Sequence, residues 1–96
     1  MEIIVIDTSY LDRVAPMDDR QFEEIAAAGD RFVLVNVVPV EGSSEWAIFG
    51  PYGVYRSPSG ARTFPDLGAT HAQLAKWGIR KFFQIGELKV FPGSAA

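Results

Sequence analysis

Apolar and polar positions along this chain fall into blocks whose period changes. Residues 3–6, IIVI, are apolar without a break. That pattern predicts a short strand buried on both faces, followed by a loop with Pro16 near its end. In MDDRQFEEIAAAG (17–29), Phe22, Ile25 and Ala26 recur at helical spacing and predict one buried helix face. Asp18 with Gln21 three positions later forms a capping-box signature, and Gly29 supplies the stop. Asp19 falls in the first turn, where the helix dipole favours a carboxylate.

RFVLVNVVPV (31–40) is β-branched and almost continuously apolar, which predicts a central strand. Pro39 has no amide hydrogen, so pairing should fade there on one side. EWAIFG (45–50) alternates, with Trp46 and Ile48 on one face and Ala47 and Phe49 on the other. VYRSPSGARTF (54–64) predicts a hairpin with arms 54–56 and 61–64 around SPSG, a type I turn sequence. GATHAQLAKWG (68–78) predicts a second helix, with Thr70 and Gln73 as its capping box, Leu74 and Trp77 inward and Gly78 as its stop. IRKFFQIGELKVFP (79–92) predicts two strands around a Gly86-Glu87 turn.

The order of elements implies an α+β fold. We expect one small domain over 1–92 and a flexible tail over 93–96. Its sheet is expected to be mainly antiparallel, of about five to seven short strands, with two short helices packed on one face. A ferredoxin-like core with an inserted hairpin fits the same string.

Composition narrows the class. A chain of 96 residues with 48% hydrophobic and 22% charged positions can bury a core, which excludes wholesale disorder. No apolar run approaches the roughly 18 residues of a membrane span, and the N-terminus lacks a signal-peptide pattern. The absence of cysteine removes disulfides, zinc–thiolate sites and thiol catalysis. A cytoplasmic protein with no membrane partner, metal or cofactor is therefore expected.

The net charge of −3 disfavours general nucleic-acid binding. Its distribution is uneven: residues 1–48 carry ten acids and three bases, residues 49–96 two acids and six bases. An acidic side would steer a basic partner. Asp18, Asp19, Glu23 and Glu24 would suit a partner that itself binds nucleic acid.

WAIFGPYGVYR (46–56) concentrates Trp46, Phe49, Tyr52 and Tyr55 around two glycines and a proline, and ends at Arg56. Tyrosine, tryptophan and arginine dominate binding hot spots. With Trp46 assigned to the core, Tyr52, Tyr55, Arg56 and Arg62 form a candidate contact patch. The leading expectation is a non-enzymatic protein-binding module or inhibitor that occludes a partner. Its compact, cysteine-free style is similar to phage and mobile-element proteins directed at host or defence machinery. An exposed edge strand would also allow a homodimer by sheet extension.

Two alternatives follow from other residues. The apolar run ending in Asp7-Thr8-Ser9 resembles the first motif of PIN-domain nucleases. Glu41, after the second strong strand, and Asp66, before an alanine-rich helix, extend the resemblance. It implies a magnesium site of Asp7, Glu41 and Asp66. The chain departs from that family between Glu41 and Asp66, where aromatic strands replace helices. The other alternative is a single-stranded nucleic-acid binder, using Arg56, Arg62, Lys76, Arg80, Lys81 and Lys89 with tyrosines and Phe82 or Phe83 interleaved on a sheet face. His71, the one histidine, is expected on the solvated surface, and GPYG and SPSG are turn sequences rather than phosphate loops.

Overall fold

The computed structural model describes residues 7–29 and 33–91. The strand expected over 2–6, the start of the 31–40 strand and the 93–96 tail lie outside the described residues.

Asp7 opens the first element. Its carboxylate accepts from the Tyr10 amide at 2.8 Å and caps α1 (Thr8–Arg13). A helix therefore stands where a loop was expected, because the Asp7 side chain satisfies an amide that the first turn leaves unpaired. β1 (Pro16–Met17) follows, then α2 (Asp19–Ala27). Both halves of the α2 capping box form, Asp18 N to Gln21 Oε1 and Gln21 N to Asp18 Oδ1, each at 2.9 Å. Gly29, at φ +91°, takes the left-handed conformation after the helix end.

The remaining elements are β2 (Asn36–Pro39), β3 (Trp46–Gly50), β4 (Gly53–Tyr55), α3 (Leu67–Trp77), β5 (Lys81–Gln84) and β6 (Glu87–Val90). Among the described residues the strands form one six-stranded sheet in the order β1-β4-β3-β2-β5-β6. The α+β class holds. The mainly antiparallel expectation does not, because β1 runs parallel to β4 and β2 parallel to β5. Parallel pairs need crossovers, and the chain between β2 and β5 includes α3, which carries it back to enter the sheet in the same direction. Nothing in this pairing establishes a ferredoxin-like core.

β2 is central, as its apolar run predicts. Its pairing with β5 stops at Val37, whereas its pairing with β3 continues to Pro39 opposite Trp46. The SPSG turn closes, with Gly60 N donating to Ser57 O at 2.9 Å. The arm over 61–64 does not pair with β4, however. Both edges of β4 are already occupied, by β3 and by the β1 segment, through Val54 N to Ala15 O and Arg56 N to Met17 O, each 2.9 Å. Phe64 instead bridges Trp46. The last hairpin turns at Ile85-Gly86, one residue earlier than expected, with φ of +51° and +79°. Two successive left-handed residues match the primed turn that suits strand twist.

α3 begins after Asp66, whose carboxylate accepts from Ala69 N at 2.8 Å. Thr70, the expected cap, is buried inside the helix and its hydroxyl donates to Asp66 O at 2.9 Å.

The two expected helices, α2 and α3, share one sheet face, and the unexpected α1 covers the other. α2 and α3 bury Phe22, Leu74 and Trp77 against Met17, Val37, Ile48, Tyr55 and Phe82. α1 places Leu11 against Val40, Ala47 and Val54 on the opposite face. Ala47 and Ile48 are adjacent in β3, yet belong to different cores, as strand alternation requires. Among the described residues, no helix is long and apolar enough to cross a membrane.

Candidate functional site

The residues singled out by sequence separate into three structural roles. Asp7 and Asp66 are helix caps, and Glu41 is exposed after Val40. Hydrogen bonds from the Tyr10 amide and the Ser9 hydroxyl hold the Asp7 carboxyl below its ordinary range. Among the described residues, no three His, Asp or Glu side chains come together as a metal site. Asp7, Glu41 and Asp66 therefore do not form the set that the nuclease resemblance implies.

Tyr55 and Asp19 belong to the interior network. Tyr55 is 4% exposed, so its ring is not part of an open contact patch. Its hydroxyl lies 3.1 and 3.2 Å from the two Asp19 oxygens, and Trp77 Nε1 donates to Asp19 Oδ1 at 2.8 Å. Phe22 stacks on Trp77 with centroids 4.5 Å apart, and Tyr55 meets the indole edge-on at 4.8 Å. Burial and the Asp19 carboxylate push the Tyr55 phenol up to about 12. The first-turn position of Asp19 was legible in sequence; its two partners, 36 and 58 residues away, were not.

Arg62 is also drawn inward. Its guanidinium donates to Leu11 O and, at 3.0 Å, to Val14 O. These carbonyls close α1, where a cation also complements the helix dipole. Nearby, Thr63 Oγ1 donates to Glu45 Oε1 at 3.0 Å.

Arg56 is exposed and joins two clefts. One is lined by Pro16, Asp18, Asp19 and Pro58, the other by Asp12, Glu45, Arg62 and Thr63. The arginine patch and the start of the acidic helix, read as separate features in sequence, thus form one continuous surface of alternating charge. β1 creates this continuity by laying Met17 beside Tyr55, which brings Asp18 next to Arg56. Asp12 and Glu45 were not singled out by sequence; no local pattern marks them. Tyr52 is 74% exposed at the β3–β4 turn, at the opposite end of β4 from Arg56. Glu23 and Glu24 are exposed on α2, with Glu24 3.5 Å from Arg20.

Of the two aromatics offered for a nucleic-acid face, Phe82 is in the core under α3, whereas Phe83 alternates to the other side of β5. His71 is half-buried rather than solvated: Nε2 is 2.8 Å from Gln84 Oε1, and its ring packs against Phe82 and Phe91.

Compared with known protein families, curated proteins and solved structures, the chain matches none.

Proposed function

We propose that this protein is a non-enzymatic protein-binding module that acts by covering a functional surface of its partner. The observation that carries the reading is the position of Arg56 between two clefts, with carboxylates in each. Alternating charge suits a protein surface with both signs, because each rim charge selects an opposite one and rejects a like one. Pro16 and Pro58 add rigid apolar contact beside it. The carboxylates of Asp12, Asp18 and Glu45 weigh against a phosphate backbone as the ligand, since a polyanion would meet them together with the arginines. A partner that itself binds nucleic acid, in a host or defence pathway, fits the acidic side formed by Asp18, Glu23 and Glu24.

The test is affinity capture with the tagged full chain, beside Arg56→Glu and Tyr52→Ala variants of verified fold, followed by calorimetry with the purified partner. We expect one stoichiometric partner whose affinity falls at least tenfold with Arg56→Glu. Salt-sensitive retention of single-stranded RNA in place of a protein would overturn the reading. So would magnesium-dependent RNA cleavage that Asp7→Asn abolishes.

A further inference from the structure

The opposite edge of the sheet from the Arg56 surface is β6, and among the described residues no strand pairs with its outer side. Such an edge offers a row of backbone donors and acceptors to another chain. β1, at the other edge, is only two residues long and contains proline, which blunts it. On β6, Leu88 and Val90 are 53% and 52% exposed. We propose that two copies of this chain pair through β6, antiparallel about a two-fold axis at Leu88, into one continuous sheet.

The backbone phase selects where such pairing can occur. β5 and β6 pair Gln84 with Glu87, Phe82 with Lys89 and, beyond the strand ends, Phe91 N with Arg80 O. In an antiparallel ladder, alternate residues turn their N–H and C=O groups to the same neighbour. Glu87, Lys89 and Phe91 therefore bond inward to the β5 segment, and Leu88 and Val90 present their backbone groups outward. A two-fold axis at Leu88 lets the two Leu88 residues exchange both hydrogen bonds, with Val90 of each copy opposite Gly86 of the other.

Charge then selects this register over its neighbours. An axis at Leu88 sets Glu87 of each copy directly opposite Lys89 of the other, twice. These are non-hydrogen-bonded pairs, in which side chains approach most closely, with Cα atoms about 4.5 Å apart. Moving the axis to residue 87 would oppose glutamate to glutamate, and to residue 89, lysine to lysine. On the other face, Phe83 lies across from Leu88 within each chain. The dimer would continue this into a row of Phe83, Leu88, Leu88 and Phe83. The Arg56 surfaces would remain open at the two outer ends, so the dimer would hold two partners at once.

The experiment is sedimentation velocity on the full chain, with Glu87→Lys, Lys89→Glu and the double exchange, each checked for fold by circular dichroism. We expect the native chain to dimerise as its concentration rises toward millimolar. Either single reversal should weaken the dimer at least tenfold, and the double exchange should restore it. Mixing the two single variants should yield a heterodimer, because every cross-strand pair then joins opposite charges. A native chain that stays monomeric at millimolar concentration overturns the proposal. So does a dimer that the single reversals leave unchanged, or a mixture that stays monomeric. None of these outcomes depends on Arg56, so they are separable from the partner-binding test.

Discussion

The indole N–H of Trp77 in α3 donates to the carboxylate of Asp19 in α2 at 2.8 Å, and the hydroxyl of Tyr55 reaches the same carboxylate from β4. One acid in the first turn of a helix thus fastens two helices and a strand together. Removing an acceptor from partly buried donors is costly, because they lose solvation without recovering a partner. Asp19→Ala should destabilise the fold by on the order of 1–3 kcal/mol. Asp19→Asn, which keeps one acceptor oxygen, should do less damage. Urea denaturation followed by tryptophan fluorescence measures both.

The same network predicts an alkaline transition. The Tyr55 phenol ionises at about 12 when folded, against an ordinary value of 10.0. Its stabilising contribution is therefore complete below about pH 10 and disappears as pH rises through about 12. Ultraviolet titration should show one of the three tyrosines ionising late, together with loss of structure. Tyr55→Phe should remove that late step. A titration without a late tyrosine step that Tyr55→Phe removes would contradict the prediction.

Asp66 distinguishes a helix cap from a metal ligand. Asparagine caps about as well as aspartate, whereas alanine does not cap, so Asp66→Ala should cost about 1 kcal/mol and Asp66→Asn only a few tenths. Thermal melts of the two variants provide the comparison. Equal destabilisation by both would mean that the charge of Asp66, not its capping geometry, is what matters.

Arg62 should act on α1 rather than directly on a partner. Arg62→Met removes the donors to Leu11 O and Val14 O, a loss of about 1.5–3 kcal/mol for charge-assisted bonds. Hydrogen exchange of the α1 amides should accelerate while that of α3 is unchanged. Unaltered α1 exchange would show that the contact does not hold the helix.

Gly53 is a packing requirement. A side chain there would run into Ala15 O, which accepts the Val54 amide at 2.9 Å where β1 lies beside β4. Gly53→Ala should therefore destabilise by about 1–3 kcal/mol, as overpacking typically does. Denaturant titration should give a lower midpoint; an unchanged one would mean that β1 moves away freely.

By itself, the sequence determined the features that depend on neighbours a few residues apart. These are the α2 capping box, the glycine stops of both predicted helices, the alternation of Trp46 to Phe49 between two faces and the central place of β2. Its short-range character also explains the misreadings. Asp7, Thr70 and Gly86 each have several local uses, and cooperative hydrogen bonding settled which one each adopts. Only tertiary structure decided that β4 would be held by β3 and β1, so that the 61–64 arm meets Trp46 of β3 through Phe64 rather than pairing with β4. It likewise turned Tyr55 and Arg62 inward and brought Asp18 beside Arg56. Strand order and side-chain partnership depend on the combined burial of distant segments, and no local window of sequence contains that sum.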